Sequence, residues 1–352
     1  FFMGVGFIRP HTPLIVPQKF FDMFPVDKIS LPEILDGDSE DTFAQTIRGL
    51  PEGKEPNSER TEDMGSKLFH KLVESYESRD EALRHFIQAY LASIASVDEQ
   101  VGRILDVIDT TELKDNTIIV LTSDHGWGMG EKDYLYKNSL WQESTRIPLI
   151  VRAPGIALAD TTCNRPVSLV DIYPTLCDLC DLEGDTMKNE KGHPLDGHSF
   201  RPLLEDPTNG TWTGPSEALT ALYKWRMKYD PHEESYALRS SDWRYIRYEN
   251  GKEELYNTAS DPNEWENLAT KTKHEDRIQR FRQTLASRLP EKGVVPPQPQ
   301  WKAPGKPEPK SNEYWKDLYF KKNPDADADK DGTLSWPEHQ AHKKAVAEKG
   351  TQ

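Results

Sequence analysis

The chain has 352 residues, of which 36% are hydrophobic, and its formal net charge is −15. This length and apolar content suit two domains, or one large core with an appended module. The acidic balance argues against general nucleic-acid binding, because contacts to phosphate require lysine and arginine. No apolar run reaches the roughly 18 residues of a membrane-spanning helix. The oligomeric state is left open.

The first residues, FFMGVGFIRPH, form an apolar run that predicts a buried strand over Phe1–Phe7, followed by a proline-rich loop. Neither an initiator methionine nor a signal peptide precedes this run, so we expect either a removed export signal and N-terminal segment or a fragment. The polar, turn-rich stretch from Asp36 to Met64 is predicted to be a surface excursion.

Apolar residues recur at three- and four-residue steps from about Asp80 to Asp109, which predicts a long amphipathic helix. The run TIIVLT predicts a parallel strand buried on both faces, and IPLIVR predicts a second strand. A helix is expected around Val170 to Leu179. This alternation predicts an α/β sandwich, a mostly parallel sheet flanked by helices, over residues 1–205.

The pattern changes after residue 205. The stretch SYALRSSDWRYIRYENGKEELYN predicts two antiparallel strands around an Asn250-Gly251 turn. A helix from about His274 to Arg288 completes a smaller α+β subdomain over residues 206–290. Proline-rich residues 291–312 predict an extended linker, and residues 313–352, here called the tail module, form a separate unit.

The three cysteines are Cys163, Cys177 and Cys180. An odd number gives no disulfide framework. Cys177 and Cys180 form a C-x-x-C, but no second pair or histidine stands at zinc spacing. Buried, small apolar side chains are favoured over a metal or redox pair.

The motif SDHGW follows directly on the TIIVLT strand. Ligands in open α/β sheets bind beyond the carboxyl ends of strands, so Asp124 and His125 are candidate metal ligands. Gly126 permits a close approach of the backbone to a ligand. Taken alone, such a pair is more often a turn with a hydrogen-bonded histidine than a metal site.

Several segments, in order, resemble the sulfatase family of the alkaline phosphatase superfamily, especially its iduronate- and choline-sulfatase-like members. They are GFIRPHTPLIVPQKFFDMFP, YLASIASVDEQVGRILDVI, SDHGWGMGEKDYLYKNSLWQESTRIPLIVRAPG, LVDIYPTLCDL, LDGHSFRPLL and ELYNTASDPNEWENLA. The resemblance covers Phe1 to about Pro290. It implies an alkaline-phosphatase-like sandwich and hydrolysis of sulfate monoesters.

The resemblance also implies roles for individual residues. Asp124 and His125 match two metal ligands, Lys137 matches a lysine that contacts the sulfate, and His11 matches a histidine near the ester oxygen. Such groups stabilise the charge that develops on the bridging oxygen, and His11 suits a general acid. The implied metal is calcium or another divalent ion, although histidine is a soft ligand for calcium.

The family nucleophile is a formylglycine made from Cys or Ser in a C/S-x-P-x-R motif, and no such motif occurs here. We therefore expect this chain to supply half of a metal site, and to be inactive alone. Two alternatives stay open. One is another esterase of the superfamily, such as a phosphatase or phosphonate hydrolase; the other is a non-catalytic calcium-binding remnant.

The tail module contains DADKDGTLSWPE, which fits the twelve-residue calcium loop of an EF-hand. Gly332 stands at the sharp turn, and Pro337 at position eleven is expected to perturb the exit helix. A single hand favours a structural or tethering role. The predicted ligands are Asp327, Asp329, Asp331, Thr333 and Glu338.

Relatives suggested by the resemblance act on sulfated sugars, choline sulfate or aryl sulfates, and a sulfated polysaccharide is the favoured substrate. Lys224, Arg226 and His232 are candidates for contacts to its further anionic groups, with a solvated basic stretch as the alternative. A periplasmic or secreted location follows from the resemblance and the calcium module.

Overall fold

A computed structural model describes residues 1–42, 64–182, 194–223, 230–292 and 312–349. The chain divides into two compact units, Phe1–Val295 and Pro296–Gln352. Most of the predicted linker lies outside the described residues, and the boundary at residue 205 remains a prediction. Among the helices described, none combines the length and apolarity needed to span a membrane.

The helices and strands of the first unit follow in chain order. They are α1 (Gln18–Phe21), α2 (Met64–Val73), α3 (Arg79–Asp109), β1 (Ile119–Thr122), α4 (Gln142–Thr145), β2 (Leu149–Arg152), α5 (Ile172–Leu179), α6 (Arg201–Glu205), β3 (Ala218–Leu222), β4 (Ser235–Arg239), β5 (Trp243–Arg247), β6 (Glu253–Asn257) and α7 (Glu275–Arg288). The second unit contains α8 (Asn312–Lys322) and α9 (Trp336–Lys349).

Helix α3 confirms the prediction of a long amphipathic helix. Its N-terminus is capped by Ser78, whose side chain accepts a hydrogen bond from the Glu81 backbone nitrogen. Such a cap satisfies one of the free N–H groups of the first turn. The apolar face of α3 buries Leu83 and Ile87 against Phe69 of α2. This packing makes α3 a rigid support for the residues that face it.

Strands β1 and β2 form where strands were predicted, but their pairing is antiparallel, with Ile119 opposite Arg152. The prediction of a parallel sheet is therefore wrong for these two strands. The chain returns from β1 to β2 through loops and the short helix α4, and a parallel pair would need a crossover connection. Burial of both faces, predicted for the first of these strands, is also wrong, since Leu121 of β1 is 36% exposed.

The predicted first strand is absent from the described structure. Residues 1–8 have no regular secondary structure, and Phe1 and Phe2 are 88% and 87% exposed. An apolar run becomes a strand only when a neighbouring strand satisfies its backbone N–H and C=O groups, and residues 1–8 pair with none of the described strands. Apolar composition alone was therefore an insufficient indicator here.

Strands β3 to β6 form an antiparallel sheet in sequential order. The predicted hairpin around Gly251 is confirmed as β5–β6, and Gly251 has the positive φ of +77° that such turns require. The stretch that was predicted to hold two strands holds three, because a tight turn separates β4 from β5. In that turn, the Ser240 backbone nitrogen donates to the Trp243 oxygen at 2.9 Å.

The two faces of this sheet pack against different parts of the unit. On one face, Tyr245 stacks on Phe281 of α7, with ring centroids 5.4 Å apart. On the other, Ile246 packs in a buried cluster with Tyr134 and Trp141. The sheet thereby anchors the segment that follows SDHGW and carries Lys137.

The predicted surface excursion from Asp36 is only partly correct. Residues 43–63 lie outside the described part of the chain, but Asp38 and Thr42, which precede them, are buried. Polar composition pointed to the surface, whereas Asp38 is held inside by an ion pair with Lys132.

In the second unit, the calcium-loop motif lies between the helices α8 and α9. Helix α9 begins at Trp336, which places Pro337 in its first turn. The first turn tolerates proline, because its N–H groups have no partner within the helix. The expected perturbation of this helix by Pro337 is therefore wrong.

Candidate active site

A cavity of about 250 Å³ brings three of the predicted site residues together. His11 comes from the N-terminal loop, and Asp124 and His125 follow β1. The full lining is Phe7, Ile8, Arg9, Pro10, His11, Tyr90, Ser123, Asp124, His125, Gly126 and Trp127.

His125 and Asp124 each place one possible metal-ligand atom at the cavity, and the two atoms lie close together. The Nδ1 atom of His125 lies 2.8 Å from the Gly126 carbonyl oxygen. A carbonyl oxygen only accepts, so Nδ1 is the donor in this contact and Nε2 is the ring atom that faces Asp124. Nε2 lies 3.6 Å from Oδ1 of Asp124, whose side chain is 84% exposed. A carboxylate oxygen and an imidazole nitrogen at this separation suit one shared divalent cation.

The position of these ligands depends on close packing at Gly126. Its backbone nitrogen donates to the Ser144 oxygen at 2.9 Å. A Cβ atom at Gly126 would lie only 2.0 Å from the Glu143 carbonyl oxygen. Only glycine allows the ligand loop to lie directly on α4.

His11 and Lys137 lie in contact although 126 positions separate them in the sequence. Lys137 Nζ is 3.2 Å from His11 Nε2, and His11 Nδ1 is 2.6 Å from the Thr12 carbonyl oxygen. Since that oxygen can only accept, Nδ1 is the donor and Nε2 accepts a hydrogen bond from the lysine. The contact therefore joins the ammonium group of Lys137 to a residue that lines the cavity.

Arg9 is a residue whose contribution sequence reasoning missed. Its Nε donates to the Ile15 carbonyl oxygen and its Nη1 to the His11 carbonyl oxygen, both at 3.2 Å. These bonds fold the N-terminal loop back on itself and fix the backbone that carries His11. The R-P-H motif already contained this residue.

Tyr90 and Trp127 were also missed. Trp127 stacks on Phe86 of α3 at 6.5 Å and contacts Tyr136 edge-on at 5.4 Å. The spacing of Tyr90 places it in the apolar stripe of the long helix, yet it lines the cavity. In the sequence, the hydroxyl of Tyr90 within an otherwise apolar stripe could have indicated that this residue faces a site.

The predicted substrate-contacting residues are not brought to this cavity by the described structure. Lys224 and Arg226 lie outside the described residues. The ring of His232 lies 2.9 Å from the Pro290 carbonyl oxygen, and its backbone nitrogen is bonded to Asp230. His232 therefore ties the end of α7 to the sheet.

The tail module gathers three of its predicted calcium ligands. Carboxylate oxygens of Asp327, Asp329 and Glu338 lie within 4.8 Å of one another. Glu338 accepts hydrogen bonds from the Ser335 side chain and from backbone N–H groups, which lower its pKa to about 2. Asp331 is turned toward Thr333, whose backbone nitrogen and hydroxyl both donate to it at 2.7 Å.

Comparison with known proteins places this geometry in a family. The sulfatase family profile matches residues 1–182, and a profile for the C-terminal part of N-sulphoglucosamine sulphohydrolase matches residues 130–291. The first match covers just over half of the chain. The chain belongs to the sulfatase family.

Two relatives show the extent of the similarity. A sulfatase of Formosa agariphila is 33% identical over 81% of this chain and 49% of its own length. The choline-sulfatase of Rhizobium meliloti is 28% identical over 76% of this chain and 46% of its own. The chain thus spans about half the length of these relatives.

Solved structures agree on the fold. One similar structure is a protein in complex with its substrate D-glucosamine-2-N,6-O-disulfate, with a TM-score of 0.53 and 27% sequence identity. The match covers 59% of this chain and 41% of that protein's chain. The phosphonate monoester hydrolase of Agrobacterium radiobacter has a TM-score of 0.59 and 25% sequence identity. The match covers 79% of this chain and 54% of the hydrolase chain. These proteins share the alkaline-phosphatase-like fold, with mixed helices and sheet.

Proposed function

We propose that the protein hydrolyses sulfate monoesters, and that its substrate is a sulfated carbohydrate. The observation that carries the proposal is the convergence on one cavity of His11, Asp124 and His125, with Lys137 bonded to His11. These residues come from separate segments, and together they offer the cation ligands and the proton that cleavage of an anionic ester requires.

Asp124 and His125 would hold a divalent cation, and we propose calcium. When bound, such a cation supplies positive charge that stabilises oxygen atoms as they become negative. The donor set fits, because the side chain of Asp124 is exposed and Nε2 of His125 lies 3.6 Å from its Oδ1, with Nδ1 held by the Gly126 carbonyl oxygen. Calcium is usually bound by about six to eight oxygen atoms, so Asp124 and His125 would form only part of its coordination shell.

Lys137 and His11 act on the leaving group. The ammonium group of Lys137 attracts the sulfate and donates a hydrogen bond to His11 Nε2 across their 3.2 Å contact. A nucleophile that this chain does not supply attacks sulfur, the bond between sulfur and the bridging oxygen breaks, and that oxygen leaves with a proton taken from the Lys137–His11 pair. The Arg9 bonds to the loop backbone keep His11 at this position.

Two observations bear on the substrate class. The relatives include a choline-sulfatase, an N-acetylglucosamine-6-O-sulfatase and a structure bound to a disulfated glucosamine. Phosphonate hydrolysis is the weaker alternative, because it rests on structural similarity at 25% identity or less. A non-catalytic remnant would not need the contact between His11 and Lys137.

We also propose that the tail module binds calcium through Asp327, Asp329 and Glu338, with Asp331 and Thr333 turning toward the ion when it binds. Support comes from the three carboxylates already gathered within 4.8 Å. A periplasmic or secreted location accords with this proposal, because calcium is abundant there and would fill such a weak, single loop.

The test uses the protein expressed from its complete reading frame, assayed with 4-nitrophenyl sulfate, glucosamine 6-sulfate and a phenyl phosphonate monoester. Hydrolysis of the sulfate esters is expected. Lys137→Met and His11→Asn should each lower kcat/KM by about 100-fold or more. The matched control is Lys114→Met, an exposed lysine that does not line the cavity. Preferred hydrolysis of the phosphonate, or full activity in both variants, would overturn the proposal.

Metal binding is tested separately by calorimetry with calcium. Asp124→Asn should abolish turnover while leaving the thermal unfolding curve in calcium-free buffer unchanged, because its side chain is 84% exposed. The variant should also lose one class of calcium sites and retain the other. Turnover close to that of the wild type would show that Asp124 is not a ligand.

A further inference from the structure

Tyr90 occupies a position on α3 that faces the site. Phe86, one helical turn earlier, stacks on Trp127 at 6.5 Å. Residues four apart lie on the same face of a helix, so Tyr90 projects toward the same loop. It lines the cavity together with His11 and Asp124. The helix beneath it is fixed by the buried residues Leu83 and Ile87.

The hydroxyl of Tyr90 makes no hydrogen bond to any described residue, whereas several other donors of the lining are bonded within the protein. Both Arg9 contacts go to carbonyl oxygens of its own loop, and the Ser123 hydroxyl donates to the His125 oxygen at 3.0 Å. The indole nitrogen of Trp127 lacks a partner too, but it is fully buried and out of reach of a ligand.

Burial raises the pKa of Tyr90 above its ordinary value, so the phenol keeps its proton at every pH at which the protein would work. It is therefore a neutral donor, and because it lines the cavity it is available to bond a ligand there. A sulfate ester offers oxygens that only accept hydrogen bonds. The chemistry of donor and ligand is thus complementary.

We propose that Tyr90 binds substrate by donating a hydrogen bond from its hydroxyl to a non-bridging sulfate oxygen of the ester. This inference rests on the proposed function, and it adds a substrate-binding residue on α3 to the groups contributed by the loops. Tyr90 orients the sulfate relative to His11 and Lys137, and it takes no part in proton transfer.

The alternative partner of the hydroxyl is the carboxylate of Asp124, in which case Tyr90 would serve the metal ligand. These two assignments of the Tyr90 hydroxyl predict changes in different binding constants. A bond to the sulfate affects the binding of esters and of inorganic sulfate. A bond to Asp124 affects the affinity for the cation.

The experiment compares Tyr90→Phe with the wild type, both expressed from the complete reading frame, with 4-nitrophenyl sulfate as substrate at saturating calcium. One neutral hydrogen bond predicts about a fivefold to tenfold rise in KM, with kcat changed by less than about twofold. The inhibition constant of inorganic sulfate should rise by the same factor, and calcium affinity should stay unchanged. The control is Tyr173→Phe, whose side chain lies 53% exposed on α5.

An active variant with wild-type KM and wild-type sulfate inhibition would overturn the assignment of Tyr90 and leave the proposed function standing. Weaker calcium binding with unchanged KM would assign the hydroxyl to Asp124 instead. A wild-type protein without sulfatase activity would overturn the proposed function and this inference together. The unfolding temperature of each variant distinguishes loss of binding from loss of fold.

Discussion

Lys132 Nζ lies 2.7 Å from Asp38 Oδ1, and only 1% and 2% of the two side chains are exposed. The same ammonium group donates to the Glu264 carbonyl oxygen at 2.5 Å. It also lies 5.7 Å from the ring centroid of Trp141 and 5.3 Å from that of Tyr256. One buried charge thus joins the N-terminal segment, the segment after SDHGW and the antiparallel sheet.

Replacing Lys132 should therefore destabilise the first unit strongly. Lys132→Met leaves the Asp38 carboxylate buried without its partner, which costs about 3–5 kcal/mol. Urea unfolding measures the loss. The control is Lys19→Met, which removes an ion pair with Glu99 whose side chains are 60% and 44% exposed. Its expected cost is below about 1 kcal/mol.

Adding Asp38→Asn to Lys132→Met should restore part of the lost stability, because the unpaired charge is removed. Equal destabilisation by the single Lys132 and Lys19 variants would show that the buried pair contributes no more than a surface one.

Stability should depend on pH through Glu143. Burial, and then the nearby charge of Glu264, raise the pKa of Glu143 from 4.5 to about 7. Between those values the folded protein binds more protons than the unfolded chain, so stability falls as the pH rises through this window. The expected loss between pH 5 and pH 8 is on the order of 2 kcal/mol after allowance for partial exposure.

Glu143→Gln should flatten this dependence, as measured by urea unfolding at pH 5 and pH 8. The exposed Glu112→Gln leaves the slope as it is in the wild type. If Glu143→Gln retained the full pH dependence, the titrating group would have to be another one.

A single methyl group at Gly126 should disturb the ligand loop. Gly126→Ala places its Cβ against the Glu143 carbonyl oxygen, which is backbone and cannot move aside cheaply. We expect a loss of about 1–3 kcal/mol of stability and a marked loss of cation affinity at Asp124 and His125.

The matched control is Gly102→Ala in α3, where no atom lies within 4 Å of the added Cβ. That change should stabilise the helix by roughly 0.5–1 kcal/mol. The same calcium titration and unfolding experiment serve both variants. Wild-type stability and affinity in Gly126→Ala would contradict the close packing described here.

Calcium binding by the tail module should depend on Glu338. Glu338→Ala removes the carboxylate that lies with Asp327 and Asp329, and it also removes the hydrogen bond from the Ala328 backbone nitrogen at 2.8 Å. Calorimetry on the whole chain should show at least about tenfold weaker binding at one class of site. The exposed Glu112→Ala is the control, and an unaltered titration of Glu338→Ala would rule the loop out.

The local elements followed from the sequence because their causes are local. Helix α3 was predicted almost to the residue, since its apolar spacing and the cap at Ser78 lie within one segment. The positions of β1, β2 and α7 were predicted for the same reason. The motif around Asp124 and the spacing of the tail carboxylates likewise identified candidate ligands, because residue type and spacing are local properties of the chain.

The arrangement of these elements depended on contacts between residues far apart in the chain. The antiparallel pairing of β1 with β2, the 3.2 Å contact of His11 with Lys137 and the burial of Lys132 beside Asp38 have no local signature. Each is stable only because packing elsewhere brings its two partners together. The sequence by itself determined which residue types and helices were available, and the tertiary structure decided which side chains meet at the cavity.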